Sequence, residues 1–161
     1  ARELQQAVSI LGVRDLRLLH VWDKTVEFQD VEALAGQLAA ILQETNASTV
    51  ITFHPQLGGH PDHNAVGAAT VAAVRRLPPL QRPRVLVPLG PVANVELDWP
   101  LVRVPIGSVR PLKEAALRAH WSQTAGWEEQ LRQDPELRQR LALRLEEERF
   151  WLYPLPPEKG T

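Results

Sequence analysis

Three of the five histidines of this chain lie within one stretch of ten residues: His54, His60 and His63. Asp62 stands beside them, and Gly58 and Gly59 would let a ligand approach the backbone closely. Neutral imidazole suits zinc, and a neighbouring carboxylate can hold the other ring nitrogen and fix its tautomer. These residue types predict a hydrolytic metal site. They would serve equally well to cap the following helix and pack a polar turn, so residue types alone leave both interpretations open.

The histidine stretch lies between a predicted strand and a predicted helix. Residues 49–53 form a continuous run of β-branched and aromatic residues, typical of a strand buried on both faces of a parallel sheet. After the stretch, apolar residues keep helical spacing from Val66 to Val74, and Pro78 stops the helix. Ligands of open α/β sheets bind outside the carboxyl ends of the strands. The histidines therefore stand where such a fold places its site.

The rest of the chain alternates helix and strand patterns. Helical spacing of apolar residues predicts further helices over residues 4–11, 31–42, 111–119 and 135–145. Asp30 and Asp134 are placed to cap the second and the last of these. Short apolar runs predict further strands at 16–19, 84–87 and 101–104. The alternation predicts an α/β fold with a Rossmann-like parallel sheet, helices on both of its faces, and one domain over residues 1–161.

Composition excludes several classes of function. Eighteen basic and 19 acidic residues give a formal net charge of −1, which does not favour nucleic acid or an anionic membrane as a partner. No apolar run approaches the roughly 20 residues that span a bilayer, and we expect a cytoplasmic protein. The chain has no cysteine, so thiolate metal sites and a Cys nucleophile are excluded. Any metal must be held by histidine and carboxylate side chains.

The histidine stretch, residues 54–64 and called the histidine string from here on, also carries a family resemblance. Residues 51–55, Ile-Thr-Phe-His-Pro, followed by Gly-Gly-His-Pro-Asp-His-Asn-Ala-Val-Gly at 58–67, resemble the second signature of the LmbE-like (PIG-L) N-deacetylases. Residues 113–124 are similar to the family's helix with Lys, Ala-His and Ser/Thr-Gln. The aromatic-rich residues 146–153 look like the ending of the bacillithiol-biosynthesis branch. The resemblance covers nearly the whole chain.

This resemblance implies roles for the residues of the string. His63 would be a ligand of zinc, with Fe²⁺ and other divalent metals left open. His60 would stabilise the oxyanion of the tetrahedral intermediate or protonate the departing amine, and Asp62 would orient His60. Amide hydrolysis needs such a donor where negative charge develops, together with a polarised carbonyl and an activated water.

Four further residues are weaker candidates for substrate binding or for support of the site. His54 would touch the substrate or only shape the loop, and Gly59 would allow close approach of the substrate. His120 and Gln123 lie three residues apart and could reach the cleft. Without the family match, a polar pair on a helix surface is the simpler account of them.

The sequence also departs from the family. It lacks the first signature, an Ala-His-Pro-Asp-Asp string that supplies the other two metal ligands and the general base. Catalytic zinc normally takes three protein ligands. We therefore expect that the first strand and the start of the first helix are missing, and that the chain as given is inactive. Some members also carry Tyr where this chain has Gly58.

The resemblance implies a zinc-dependent hydrolase that removes acetyl from an N-acetylglucosaminyl conjugate. The expected substrate is N-acetylglucosaminyl malate, in bacillithiol biosynthesis, and we expect a homo-oligomer that binds this small molecule. The alternative is a non-catalytic remnant of the same fold that serves in binding or assembly.

Overall fold

A computed structural model describes residues 2–88 and 97–155 of the chain. The helices are α1 Arg2–Ile10, α2 Val31–Thr45, α3 Pro61–Arg76, α4 Arg110–Ala119, α5 Trp121–Thr124, α6 Trp127–Gln133 and α7 Pro135–Glu146. The strands are β1 Thr49–Ile51, β2 Arg84–Pro88, β3 Leu101–Pro105 and β4 Glu147–Leu152. Short 3-10 turns lie at Val26–Phe28, Pro79–Gln81 and Gly107–Val109. Within the described ranges, no helix is long and apolar enough to cross a membrane.

The strands form one sheet in the order β1-β2-β4-β3. β1 runs parallel to β2, with Val50 opposite Val85, whereas β4 runs antiparallel to β2, with Trp151 opposite Val87. The α/β class is confirmed and β1 and β2 are parallel as predicted, but β4 runs antiparallel, so the sheet as a whole is mixed. The sequence did not reveal β4 as a strand because its three charged residues precede its three apolar ones, which hides the period-two alternation of a half-buried strand.

Two predicted strands differ from the structure. Residues 16–19 form no regular strand, and Leu18 is 43% exposed. A strand needs a neighbour to pair its N–H and C=O groups, and the described residues give this segment none. β1 is shorter than predicted and is not buried on both faces, since Ile51 is 59% exposed. In the described sheet, β1 has β2 as its one neighbour, and an edge strand keeps one side open.

The chain divides into two compact units. The first comprises Ala1–Leu19 and Arg103–Glu148, and the second comprises His20–Val102 and Arg149–Thr161. The histidine string belongs to the second unit. Whether the whole chain acts as one domain stays a prediction.

The second unit has a core between α2, α3 and the first two strands. Its buried members are small or β-branched in large part, and they comprise Ala35, Ala39, Leu42, Ala73, Val74, Leu77 and Val85. Asp30 caps α2 as predicted, because its carboxylate accepts from the N–H groups of Glu32 and Ala33. Asn46 ends α2 in the left-handed conformation, with φ at 47°. This core fixes α3, the helix that is capped by His60 and carries His63.

The first unit packs α1 against α4 through small residues. Ala7, Ala116 and Ala119 form the buried cluster, with Ile10 packed against it. Asp134 caps α7 as predicted by accepting the N–H of Leu137 at 2.8 Å, and Pro135 follows at the first helical position. Glu3 on α1 and Ser122 on α5 join these two helices by hydrogen bonds.

The Glu3 carboxylate accepts hydrogen bonds from both the hydroxyl and the N–H of Ser122, at 2.7 and 2.8 Å. The Ser122 hydroxyl, and then its N–H, hold the pKa of Glu3 below the ordinary value of 4.5. Because the pKa is depressed in the folded chain, this stabilisation is present above pH 4.5 and disappears as pH falls through the folded pKa. We expect Glu3→Gln to lower the unfolding midpoint modestly at pH 7 and not at pH 3.

Thermal unfolding of the wild type, Glu3→Gln, Ser122→Ala and the double variant at both pH values measures this contribution. The double variant should lose no more than the larger single loss, because both substitutions remove the same contact. A Glu3→Gln deficit that persists unchanged at pH 3 would contradict the assignment.

Candidate active site

The histidine string lies on the segment that joins β1 to α3, at the carboxyl end of β1, as the sequence predicts. Thr52 continues the ladder beyond β1, since its N–H donates to the Leu86 carbonyl at 3.0 Å. Its buried hydroxyl donates to the Thr70 hydroxyl on α3 at 3.1 Å. The segment therefore leaves the sheet in a fixed direction and is joined to the helix that follows.

Gly67 brings α3 into direct contact with this segment. A Cβ added at Gly67 would lie 2.4 Å from the Phe53 carbonyl oxygen and 3.1 Å from the His54 carbonyl carbon. Only a residue without a side chain allows this approach, in the middle of a helix where glycine otherwise costs stability. The close contact sets how far the first turn of α3 stands from the end of β1.

His60 is the N-cap residue of α3. Its backbone is extended, and its Nδ1 accepts the N–H of Asp62 at 3.1 Å. A backbone N–H can only donate, so Nδ1 carries a lone pair and the proton of the neutral ring lies on Nε2. His60 thus presents an Nε2–H donor on the side of the ring away from the helix.

Asp62 is buried, but its carboxylate does not orient His60 as the sequence suggested. Oδ1 of Asp62 accepts the N–H of Glu27 at 3.1 Å. The orienting bond to His60 comes from the backbone of Asp62 instead. The physical reason is the capping geometry, which directs the His60 ring at the free N–H groups of the first helical turn. The carboxylate ties the turn Val26–Phe28 to the start of α3.

His63 has the opposite tautomer. Its Nδ1 lies 2.9 Å from the Gly58 carbonyl oxygen, which can only accept, so Nδ1 carries the proton and Nε2 a bare lone pair. The ring stacks on Phe53, with centroids 3.9 Å apart and planes 2° from parallel. The His60 and His63 ring centroids lie 5.5 Å apart. A hydrogen-bond donor and a metal-binding lone pair therefore stand side by side.

His54 shapes the loop. Its Nδ1 accepts the N–H groups of Gln56 and Leu57, both at 3.0 Å, and its ring stacks on Trp99 with centroids 5.2 Å apart. Partial burial lowers the pKa of His54, because it disfavours the charged ring. Of the two roles left open for His54, the loop contact is observed, and contact with a substrate stays a prediction.

Gly58 and Gly59 are each required as glycine, for different physical reasons. Gly59 adopts φ of +79°, a conformation that disfavours other residues. At Gly58 the reason is space, because a Cβ there would lie 2.9 Å from both the Asn64 Oδ1 and the His63 Cβ. The tyrosine that some family members carry at this position could not be placed here without moving the loop.

His120 and Gln123 lie in the first compact unit, whereas His54, Gly59, His60, Asp62 and His63 lie in the second. His120 stands between α4 and α5, and its carbonyl accepts the N–H of Gln123 at 2.9 Å. The Gln123 side chain is exposed and lies 3.5 Å from the Ser122 hydroxyl. The supporting roles of both residues stay predictions.

The described part of the chain does not supply a complete metal site. Residues 2–88 and 97–155 contain no group of three or more His, Asp or Glu side chains placed to hold a metal ion. His63 offers one imidazole lone pair, and a catalytic zinc takes three protein ligands. These residues therefore do not fit a catalytic zinc by themselves.

Sequence reasoning missed three residues that hold the site. The backbone N–H of Glu27 donates to the Asp62 carboxylate from 35 residues away, and the Phe53 ring stacks on His63. Asn64 accepts the N–H of Gly58 at 2.8 Å. Only Asn64 gave a usable signal, since it follows the last histidine directly and its amide can bond to nearby backbone.

Comparison with known proteins identifies the family of the chain. The family described as GlcNAc-PI de-N-acetylase, PIG-L, matches residues 1–74. A probable N-acetyl-α-D-glucosaminyl L-malate deacetylase 2 of Bacillus cereus is 41% identical over 154 residues, covering 94% of this chain and 70% of the relative. The proteins of the same description from Bacillus anthracis and Bacillus subtilis are 36% and 37% identical, covering 95% and 94% of this chain and 69% and 70% of their own lengths. The chain belongs to the PIG-L family of de-N-acetylases.

Proposed function

We propose that this chain carries the histidine half of the active site of an N-acetyl-α-D-glucosaminyl L-malate deacetylase, a hydrolase of bacillithiol biosynthesis. One observation carries the proposal: the Nε2–H of His60 and the bare Nε2 of His63 are presented side by side at the start of α3. The names of the Bacillus relatives support the substrate, an acetylated glucosamine linked to malate.

His60 has the geometry of an oxyanion donor. When water adds to the acetamide carbonyl, negative charge develops on the carbonyl oxygen, and an aligned N–H stabilises that charge. Neutral His60 can donate from Nε2 while Nδ1 keeps its bond to the Asp62 N–H. Protonating the departing amine would require a second proton on Nδ1, which would break that bond. The capping contact therefore favours the oxyanion role over the acid role.

His63 is the proposed metal ligand of this chain, through Nε2. Its Nδ1–H donates to the Gly58 carbonyl, the kind of support that metal-binding histidines usually have. Zinc is the proposed metal, and two more ligands and a general base would have to come from residues outside the described part of the chain. We accordingly propose that the chain as given lacks hydrolase activity.

The test is a deacetylase assay on the natural full-length protein that contains this sequence. With N-acetylglucosaminyl malate as substrate, release of the primary amine should be observed, should stop with a chelator and should return with added zinc. Metal analysis should find about one zinc or iron per chain, and residues 1–161 alone should release no amine.

Two outcomes would decide against the proposal. A folded, metal-loaded protein with no amide-hydrolase activity on any N-acetyl amino sugar would defeat the deacetylase function. A folded protein that has neither metal nor activity would instead favour the non-catalytic remnant, for which the incomplete ligand set of the described residues is the supporting observation.

A further inference from the structure

Asn64 makes a contact that the proposed chemistry does not require of it. Its side-chain Oδ1 accepts the N–H of Gly58 at 2.8 Å, and the carbonyl of the same glycine accepts Nδ1–H of His63 at 2.9 Å. Gly58 is thus bonded at its N–H and at its C=O to two consecutive residues of α3. One residue of the loop is held against the helix at both ends.

The helix fixes Asn64 more firmly than the loop fixes Gly58. Asn64 lies in the first turn of α3, where its own N–H donates to the His60 carbonyl at 3.0 Å. Gly58 is followed by Gly59, so two residues without side chains leave this part of the loop little local stiffness. The anchored amide of Asn64 therefore holds the Gly58 N–H in place, and the Gly58 carbonyl lies in the adjoining peptide plane.

The position of that carbonyl matters because stacking cannot select a tautomer. Parallel contact with Phe53 fixes the plane of the His63 ring, but a ring flipped by half a turn about its Cβ–Cγ bond would stack equally well. Either nitrogen of a neutral imidazole can carry the proton, and the partner of one nitrogen decides which does. For His63 the partner is the Gly58 carbonyl.

We propose that Asn64 is a positioning residue, which holds the Gly58 carbonyl against Nδ1 of His63 and thereby keeps Nε2 unprotonated. The inference rests on the proposed function for its purpose, since a bare Nε2 is what a metal ligand must present. Its physical content does not depend on a metal. The tight packing at Gly58 supports the same arrangement. A Cβ there would lie 2.9 Å from both the Asn64 Oδ1 and the His63 Cβ, so a side chain at this position would displace the loop.

The direct test reads the tautomer of His63 in the metal-free chain by long-range proton–nitrogen NMR of labelled histidine. The pH is set well above the range in which imidazole is protonated. The wild type should show the Nδ1–H tautomer. Asn64→Leu, close in shape but without the acceptor, should give a mixture with a substantial Nε2–H fraction. Asn64→Asp keeps an acceptor oxygen and should restore Nδ1–H.

Two further variants provide a control and an independent test. Gln56→Leu changes an exposed residue of the same loop and should leave the tautomer unchanged, whereas Gly58→Ala should shift it by displacing the carbonyl. If Asn64→Leu folds, as judged by circular dichroism, and keeps the Nδ1–H tautomer, the inference is wrong. If Asn64→Leu does not fold, the same result for Gly58→Ala overturns it.

A second measurement separates this inference from the proposed function. In the natural full-length protein, Asn64→Leu should weaken zinc binding about 10- to 100-fold, as expected for a residue that supports a ligand, and Asn64→Asp should recover most of it. Zinc affinity unchanged by Asn64→Leu would overturn the purpose assigned to the contact, which is to present a bare Nε2 to a metal. A tautomer that shifts as expected, in a protein that binds no zinc, would support the inference while the proposed function fails.

Discussion

Replacing Gly67 by alanine should cost about 3 kcal/mol or more of the free energy of unfolding, the upper part of the range for overpacked interiors. The added Cβ would lie 2.4 Å from the Phe53 carbonyl oxygen, and a backbone atom cannot rotate out of the way as a side chain can. The whole free energy of unfolding of a small domain is about 5–15 kcal/mol, so this loss would be a large part of it. Urea denaturation followed by circular dichroism measures it.

Gly36 provides the matched control, because it also lies within a helix of the same unit. A Cβ at Gly36 would meet the end of the flexible Arg76 side chain at 3.0 Å, which can move. Gly36→Ala should therefore leave stability unchanged or raise it by up to about 1 kcal/mol, the helix preference of alanine over glycine. Equal effects of the two substitutions would show that α3 does not need its close approach to residue 53.

The second large effect concerns the different roles proposed for His60 and His63. His60→Asn should lower kcat of the natural full-length protein by about 100- to 1,000-fold, the cost of removing one oxyanion donor. Asparagine is a good N-cap residue and can accept the N–H of Asp62, so the helix should keep its start. Metal content and KM should change little.

His63→Ala should behave differently, because it removes the imidazole lone pair that we propose as the metal ligand. Bound metal and activity should both be lost, while the cap at His60 is untouched. Steady-state kinetics together with metal analysis of the two variants test this pair. Loss of metal in His60→Asn, or retention of metal in His63→Ala, would contradict the assignment of roles.

The sequence predicted the surroundings of the site well because the signals are local. A β-branched run marked β1, and Asp30 and Asp134 marked the starts of α2 and α7. Each of these features needs only a few consecutive residues to be recognised, since capping and periodicity act over one or two turns. The site's place at the end of β1 followed from them.

Contacts between distant residues were not predictable. The Asp62 carboxylate bonds to Glu27, 35 residues away, rather than to the neighbouring His60. Residues 16–19 read as a strand, but apolar content does not say whether a pairing partner exists. The direction of β4 depends equally on where the chain re-enters the sheet. The tautomers of the histidines could not be read either, because they depend on single atoms of the folded loop.

The segment 54–64, which carries the three histidines and includes the start of α3, is held by short-range hydrogen bonds. Its bonds from His54, Gly58, His60 and His63 join residues two to six positions apart. Loops this short close fast and at low entropic cost. The imidazoles can thus be arranged early in folding, whereas the contact between Asp62 and Glu27 must wait for distant parts of the chain to meet. A ligand arriving at the finished site would find these rings already ordered and would not have to supply the entropy of ordering them.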